Sequence, residues 1–328
     1  MTRARARFGR GAERLARVLA ILRAALSRSL GALAVLLALA SLVFFALRVL
    51  PGDPAALVLG DQANEAERAA FRARLGLDRP LAQQYAAFVV GLATLDLGES
   101  TSRPGVPAFH EVREALGPTA ALAATAVLLG AVAGVTAAVL AVGPWLGARR
   151  RWVHDGLVAV AATPLVAFAP VVTFFVAVRH RIVPLPGDPA SGLGGVLFAS
   201  GLLAIPLAAQ VGRIGRAALL DQSRAKYLDV ALAKGASPAR VWLVHALPVA
   251  SGPIAVTVAT QLGALLGGAV VLERLFERPG LGTLMLNAYS ARDLPVLEAA
   301  VVSSGFLFVL AQAFAGAITA AVDPRGQA

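Results

Sequence analysis

Six long blocks without any Asp, Glu, Lys or Arg constrain this chain more than any other feature of its sequence. Each block exceeds the roughly 18 apolar residues that a helix needs to cross the hydrocarbon core of a bilayer. The blocks are Ser29–Leu47, Ala115–Ala148, Gly156–Val178, Pro189–Gly212, Ala246–Leu272 and Ala299–Val322. With 58% hydrophobic and 15% charged residues, the chain is far more apolar than a soluble domain. We therefore predict an all-α, polytopic membrane protein with six transmembrane helices.

Basic residues are distributed unevenly among the segments that connect these blocks. If the N-terminus lies in the cytoplasm, the segments on that side hold 18 of the 30 basic residues but only 5 of the 19 acidic ones. Membrane proteins retain Lys and Arg in their cytoplasmic loops, so we expect both termini to be cytoplasmic. The same sorting explains the net charge of +11 without nucleic acid binding, which is the competing reading of a basic chain.

The polar segments divide the chain into five predicted regions. These are a cytoplasmic basic segment (1–28), a first transmembrane helix (29–50), a folded extracytoplasmic lobe (51–114), a core with the other five transmembrane helices (115–322) and a cytoplasmic tail (323–328). Within the lobe, Asn64 and Glu67 have the spacing of a capping box, which predicts a helix that starts there and ends at Gly76. A second lobe helix is predicted to start at Pro80.

Several kinds of chemistry find no support in the sequence. There is no cysteine, and the four histidines lie in four different loops or span edges, so we predict no disulfide, metal site or cofactor. The six blocks contain no ionisable residue, whereas ion-coupled carriers usually keep one within the membrane. Energy for any transport is therefore expected to come from outside the spans. Polar residues inside the blocks suit helix packing, and no substrate-binding residue can be assigned.

The segment Ser223–Pro253 is the only long, charged and well-capped segment between two apolar blocks in the C-terminal half. Its first part, Asp221–Lys234, has the composition and spacing of a helix. Gly235 follows directly, and glycine adopts the left-handed conformation that ends a helix without steric strain. The segment therefore begins with a helix that stops at a defined residue.

A second helix is predicted to follow at once. Ser237 is a good N-cap, and Pro238 stands at the first helical position, where its missing N–H has no cost. We expect this helix to cover Ala239–Leu247 and to end or kink at Pro248, where the next span begins. The result is a short helix with both ends fixed, presented on the cytoplasmic side between the fourth and fifth spans.

At these residues the chain resembles the permease subunits of bacterial ABC importers. Their hallmark is Glu-Ala-Ala, three residues, Gly, nine residues, then Ile-x-Leu-Pro. Asp229-Val230-Ala231, Gly235 and Leu247-Pro248 have the same spacing here, with His245 in the place of Ile. Further blocks are similar to the first of the two permeases in the dipeptide, oligopeptide and nickel branch. They are FALRVLPGDPAALVLG, LGLDRPLAQQY, LDLGES, GALLGGAVVLERLFERPGLGTLMLNA, RDLPVLEAAV and the terminal DPR.

The resemblance implies a multi-pass permease in the bacterial inner membrane. Such a subunit pairs with a second permease, and each of the two inserts its short helix into a groove on one of two ABC ATPase subunits. An extracytoplasmic solute-binding protein delivers the solute. The EAA-type loop, residues 213–253, is expected to contact the ATPases. The expected ATPase-coupling residues are Tyr227, Asp229, Ala231, Lys234, Gly235, Ser237, Pro238, Arg240, Leu247 and Pro248. The chain has no phosphate-loop motif of the type G-x-x-x-x-G-K-[ST], so we expect a non-enzymatic subunit, with ATP hydrolysis on its partners.

Individual roles follow from the same resemblance. Ala231, Gly235 and Pro248 are expected to set the shape of the loop, and Tyr227, Lys234 and Arg240 are candidates for direct contact. Attraction to membrane lipid headgroups is the alternative for the basic residues. At the level of function, the alternatives are an ion-coupled secondary carrier and a membrane scaffold without transport. Peptides are the default solute, although nickel, opines and other small solutes use similar permeases.

Overall fold

The computed structural model describes residues 29–49, 54–60, 63–184, 187 and 192–322. The predicted basic segment 1–28 and the tail 323–328 lie outside the described residues. The chain divides into two compact units, Met1–Gly52 and Asp53–Ala328, and the described part of the first unit is helix α1.

The described residues form helices joined by short turns, as the all-α prediction requires. The helices are α1 (Ser29–Val49), α2 (Pro54–Leu59), α3 (Glu65–Arg74), α4 (Leu81–Thr94), α5 (Ala108–Val142), α6 (Arg150–Ala162), α7 (Leu165–Thr173), α8 (Gly192–Gln222), α9 (Lys226–Ala233), α10 (Pro238–Arg240), α11 (Leu247–Leu275), α12 (Leu281–Ser290) and α13 (Leu294–Val322). A 3₁₀ turn (Pro144–Arg149) precedes α6, and π-helical turns follow α7 (Phe174–Arg179) and α10 (Val241–Ala246).

Among the described residues, five stretches are, taken singly, long and apolar enough to cross a membrane. They are Ser29–Val49, Ala108–Val142, Gly192–Gln222, Pro238–Leu275 and Leu294–Ile318. A sixth crossing is obtained if Pro144–Ala162 and Leu165–Arg179, which are bent by 107° relative to each other, count as one broken span. The predicted six spans are therefore five single stretches and one bent pair.

The bend in the third predicted span has a local cause. α6 ends at Ala162, the next residue, Thr163, has an extended backbone (ψ 122°), and Pro164 precedes the first residue of α7. The ring of a proline disfavours the α conformation in the residue before it, so Thr163 cannot continue the helix. The charge-free block Gly156–Val178 is thus two helices and not the single helix that its composition suggests.

Helices α5 and α8 pack with their backbones close together along the middle of the second unit. A β-carbon on Gly130 would lie 2.7 Å from Cδ2 of Leu207, and one on Gly134 would lie 2.6 Å from Cβ of Val211. Small residues let membrane helices approach in this way. Leu203, Leu207 and Val211 of α8 are fully buried there, together with Ala269 and Leu272 of α11.

The predicted lobe helices form with the predicted caps. The N–H of Glu67 donates to Oδ1 of Asn64 at 2.9 Å, and the N–H of Asn64 donates to Oε2 of Glu67 at 3.0 Å. Gly76, just after α3, has a φ of +65°, and Pro80 caps the start of α4. The capping box, the glycine stop and the start of the second helix are confirmed.

Candidate functional site

The loop that carries the predicted coupling residues begins with a break between α8 and α9. The N–H of Ser223 donates to the carbonyls of Leu219 and Leu220, and the N–H of Ala225 donates to Gln222 at 2.8 Å. These bonds close α8 at Gln222 before α9 starts at Lys226. The predicted helix Asp221–Lys234 is therefore wrong in its first turn, which belongs to α8 and to a short joint.

The C-terminus of α9 is fixed by local hydrogen bonds. The N–H of Ala236 donates to the carbonyl of Ala231 at 3.1 Å, and that of Gly235 donates to Leu232 at 2.9 Å. Gly235 has a φ of +83°. This is the Schellman arrangement, in which a left-handed residue turns the chain and satisfies the last carbonyls of the helix. The predicted glycine stop is confirmed.

The next helix starts as predicted but does not end where predicted. Oγ of Ser237 accepts a hydrogen bond from the N–H of Arg240 at 3.3 Å, and Pro238 occupies the first position. Helix α10 then continues through the π-helical turn into α11, so that Pro238–Leu275 forms one stretch of 38 residues. Pro248 therefore neither ends this stretch nor isolates a short helix.

The π-helical turn explains why Pro248 is tolerated there. The N–H of Leu247 donates to the carbonyl of Trp242, five residues back. In an α-helix, the ring of Pro248 would clash with the carbonyl of Val244, four residues back. A wider turn just before the proline relieves that crowding, and π-helical turns are typical inserts within longer helices.

An apolar cluster holds the loop against the ends of the spans. Leu228 of α9, Val241 and Ala246 of the π-helical turn and Ala250 of α11 are all buried. They pack with residues from the C-terminal parts of α5 and α8, namely Ala138, Val139, Val142 and Leu219. We call this end of the helices the loop end. Burying a leucine side chain contributes roughly 1.5–3 kcal/mol, so Leu228 anchors α9.

Most other side chains of α9 are exposed and mixed in chemistry. Tyr227 is 40% exposed, Val230 51% and Leu232 49%. Asp229 and Lys234 are exposed too, and neither makes an ion pair within the described part of the chain. Of the other predicted coupling residues, Gly235, Ser237, Pro238, Arg240 and Pro248 are exposed, whereas Ala231 and Leu247 are half-buried. The structure adds Val230 and Leu232 to this surface.

A buried carboxylate organises the opposite end of the helices, which we call the far end. Glu273, in the last turn of α11, is only 1% exposed. Its Oε1 accepts from the hydroxyl of Thr119 in α5 at 2.5 Å, and its Oε2 accepts from the N–H groups of Gly282 and Thr283 at 2.8 and 3.3 Å. Oγ1 of Thr119 in turn accepts from the N–H of Leu281 at 2.9 Å. The first turn of α12 is thereby bound to both α5 and α11.

A second buried carboxylate joins the same end to the segment before α5. Oδ2 of Asp293 accepts from the hydroxyls of Ser100 and Ser102, both at 2.5 Å, and from the N–H of Ser102 at 3.0 Å. Its Oδ1 accepts from the N–H of Val296 at 3.4 Å, in the first turn of α13. Burial alone would raise the pKa of the Asp293 carboxyl, but the hydrogen bonds from Ser100 and Ser102 hold the pKa below its ordinary value.

Sequence reasoning did not identify Glu273 or Asp293 as a site. Both stand within blocks that resemble the permeases, LERLFERPGLG and RDLPV, and Ser100 ends LDLGES. Their place in blocks that resemble the permeases was the signal that could have drawn attention to these residues. The hydrogen bonds that they make, however, join residues far apart in sequence and could not be predicted from the blocks. No group of three or more potential metal ligands is found in the part of the chain that the structure describes.

Comparison with known proteins gives two family matches. Residues 126–326 match the family described as binding-protein-dependent transport system inner membrane component. Residues 21–111 match the N-terminal family of such membrane components. Together they cover all the described spans except part of α5.

Curated relatives match over nearly their whole length. A probable peptide ABC transporter permease, y4tP of Sinorhizobium fredii, is 29% identical over 92% of this chain and 97% of its own. The glutathione transport system permease GsiC of Salmonella typhimurium is 34% identical over 91% of this chain and 97% of its own. GsiC of Escherichia coli K12 is 33% identical with the same coverage.

A solved structure shares the fold. The methionine ABC transporter MetNI, in inward-facing conformations, aligns with a TM-score of 0.54 over 66% of this chain and 97% of the matched chain, at 19% identity. At that identity the likeness concerns the arrangement of helices alone.

Proposed function

Since the chain belongs to the family of binding-protein-dependent transport system inner membrane components, it is an ABC importer permease, and we propose that it carries small peptides. The chain forms the translocation pathway in the bacterial inner membrane, which it crosses several times. Permeases of this family are not themselves ATPases. Membership favours this function over the ion-coupled carrier and the scaffold.

The proposal of a peptide substrate is supported by the relatives. One is described as a probable peptide permease and others as glutathione permeases. Nickel, opines and other small solutes are the alternatives. Because a separate binding protein delivers the solute in such systems, the permease is expected to set only part of the selectivity.

We propose that α9 binds the ATPase subunits through a coupling face, which we define as the exposed Tyr227, Val230 and Lys234. The single observation that carries this is the contrast between its two sides. One side is anchored by buried Leu228, while the other exposes Tyr227 and Val230 beside the charge of Lys234, which makes no ion pair within the described part of the chain. A rigid, partly apolar helix of this kind can fill a groove on a partner. Ala231 and Gly235 then fix the shape of the loop, and Pro248 fixes the turn that follows.

The basic residues at the edge of the coupling face have two possible partners. Lys234 and Arg240 are exposed, and both can pair with carboxylates of an ATPase. Anionic lipid headgroups attract the same side chains at about 1 kcal/mol each. Asp229 would be repelled by such lipids, and its position on α9 therefore favours a protein partner.

The rest of the assembly follows from the proposed coupling face. Two ATPase subunits would bind at the loop end, a second permease would complete the pathway, and a solute-binding protein would dock at the far end. The loop end then faces the cytoplasm, as the distribution of basic residues predicts, with both termini on that side. ATP hydrolysis would take place on the partner subunits.

Reconstitution of the complete importer tests this proposal. The chain, the second permease, the ATPases and the binding protein are purified together and placed in proteoliposomes. We expect uptake of labelled di- or tripeptides that requires both ATP and the binding protein. Uptake of nickel with no uptake of peptides would contradict the substrate, and peptide uptake without ATP would contradict the proposed coupling.

A further inference from the structure

One continuous helical stretch runs from the loop end to the far end. Pro238–Leu275 has 38 residues, which corresponds to about 57 Å at 1.5 Å per residue. Near its start, Val241, Ala246 and Ala250 are buried against the anchor of α9. Near its end, Glu273 holds the first turn of α12. Any axial shift or rotation at the loop end therefore reaches Glu273 through one continuous element.

The hydrogen bonds of Glu273 join the end of α11 to two other helices. Its carboxylate bonds two different partners, Thr119 of α5 and the backbone of α12, with no cation beside it in the described part of the chain. A β-carbon on Gly280 would overlap the carboxylate, and one on Gly282 would lie 2.5 Å from Cα of Val270. Both glycines therefore let the start of α12 lie directly on the end of α11.

Stability of the fold alone does not explain a buried carboxylate at position 273. A buried charge without a cation is costly unless it is fully hydrogen-bonded, and apolar residues of similar volume often stabilise a buried site at least as well. What three directional hydrogen bonds provide instead is a fixed geometry between three helices. α12 must then follow α11 and α5 when these helices move.

We propose that Glu273 is a positioning residue that transmits movement of α10 and α11 to α12, and thereby sets the position of α12 at the far end during the transport cycle. This inference rests on the proposed coupling face, because that face is where the movement would begin. Thr119 acts with Glu273, since its hydroxyl donates to the carboxylate and accepts from the N–H of Leu281.

The exposed side of α12 allows this movement to be measured. Tyr289 is 50% exposed on that side, whereas Leu281, Gly282 and Ala288 are buried. The chain contains no cysteine, so Tyr289→Cys introduces one thiol into this subunit. Its rate of labelling by a membrane-impermeant maleimide reports the surroundings of α12.

The experiment compares labelling of Tyr289→Cys in two states of the complete importer. One sample is free of nucleotide, and the other is trapped with ATP and vanadate. We expect the rates to differ by about fivefold, which corresponds to the lower end of ordinary coupling free energies. Adding Thr119→Val, which replaces the hydroxyl with a methyl group, should lower the ratio, because α12 then loses its link to α5 and Glu273 loses one of its three donors.

Matched controls separate transmission from loss of structure. Thr125→Val makes the same replacement in the same helix, but the Thr125 hydroxyl is exposed and, within the described residues, donates only to the carbonyl of Ala121, at 2.8 Å. It should leave the ratio unchanged. Glu273→Gln keeps the side-chain length and is measured in parallel, so that the comparison stands if Thr119→Val is obtained in low amount. It should also lower the ratio.

The outcomes distinguish this inference from the proposed coupling face. Complexes of Thr119→Val and Glu273→Gln should still contain the ATPases and hydrolyse ATP within about twofold of the parent, while uptake falls about tenfold or more. A ratio that survives in both variants overturns the inference, and so does a parent that shows no difference between the states. Loss of the ATPases from a parent complex would instead contradict the coupling face.

Discussion

The loop end and the far end are held together by different physical means. At the loop end, α9 and α10 are shaped by caps between residues three to five apart, and one apolar cluster anchors them. At the far end, the main contacts are hydrogen bonds to buried carboxylates, and they join residues 154 and 193 positions apart. One end presents a surface to partners, and the other fixes helices to each other. Substitutions should therefore act on partner binding at one end and on internal geometry at the other.

The largest expected effect comes from Gly235→Val at the loop end. A β-branched residue is strained at a φ of +83°, by about 1–3 kcal/mol, so α9 can no longer meet α10 at the same angle. We expect uptake to fall by about tenfold or more, since 1.4 kcal/mol corresponds to a factor of ten. ATPase subunits should be lost from the purified complex in parallel, which quantitative gel analysis measures.

Gly105→Val is the matched control for this substitution. Gly105 has nearly the same φ, +86°, and a β-carbon at either glycine meets no atom within 4 Å. The backbone strain is therefore similar, but the position is remote from the loop. Retention of the ATPases by Gly235→Val, or equal loss from both variants, would show that the shape of the loop does not govern partner binding.

A somewhat smaller effect is expected from Val230→Asp on the coupling face. The charge would replace an apolar contact that binding should bury, and burying an unpaired charge is unfavourable. We expect the amount of ATPase that co-purifies to fall by about five- to tenfold, a change of about 1–1.4 kcal/mol. Val90→Asp on α4 serves as the control, because Val90 is also exposed, at 61%. A similar loss from both variants would argue against a specific face.

Asp293→Asn should act on stability at the far end. The variant loses a charged acceptor that serves both Ser100 and Ser102, which should lower the free energy of unfolding by about 1–3 kcal/mol at pH 7. Because the folded pKa of Asp293 is lowered, this stabilisation is present above the ordinary pKa of about 3.9 and disappears as the pH falls through the folded pKa. Thermal unfolding in detergent from pH 7 to pH 3 measures it.

A simple loss of packing would also destabilise the variant, but the size of that effect would not depend on pH. The difference in melting temperature between parent and Asp293→Asn should be constant from pH 7 to pH 5 and should shrink below pH 4. A difference that grows on acidification would mean that Asp293 is destabilising as an anion. That result would contradict our description of the Asp293 carboxylate as a stabilising group at the far end.

The smallest effect is expected from Asn64→Ala in the lobe. Loss of the capping box should lower the free energy of unfolding by about 1 kcal/mol, because the N–H of Glu67 loses its acceptor. Uptake should stay unchanged, since α3 belongs to neither end. Glu67→Gln is the companion variant, as it can still accept from the N–H of Asn64. Loss of uptake in Asn64→Ala would give the lobe a part in transport that neither end explains.

The difference between the local contacts of the loop end and the long-range contacts of the far end also explains what could be predicted from the sequence. The caps at Asn64, Gly235 and Ser237 were predicted correctly, because each depends on residues within a few positions. The charge-free blocks likewise indicated the membrane spans, since composition alone decides whether a helix suits the bilayer. Resemblance to the permeases supplied the family, which the comparisons confirmed.

Other features could not be read from local patterns. The proline at position 164 breaks a charge-free block, whereas Pro248 does not end its helix, because a π-helical turn accommodates it. Both positions hold a proline, and the conformation of the surrounding backbone decides whether the helix ends there. Glu273 and Asp293 were missed because their partners, Thr119 and Ser100, are distant in sequence. Such contacts become visible only when the helices are placed side by side.

Site-specific photocrosslinking from Val230 tests the central claim most directly. A photoreactive amino acid is placed at position 230 or, for comparison, at position 90, and the complete importer is irradiated in membranes. Our account predicts a covalent adduct between this chain and an ATPase subunit from position 230 and none from position 90. Adducts to lipid alone from position 230, in complexes that contain the ATPases, would contradict it.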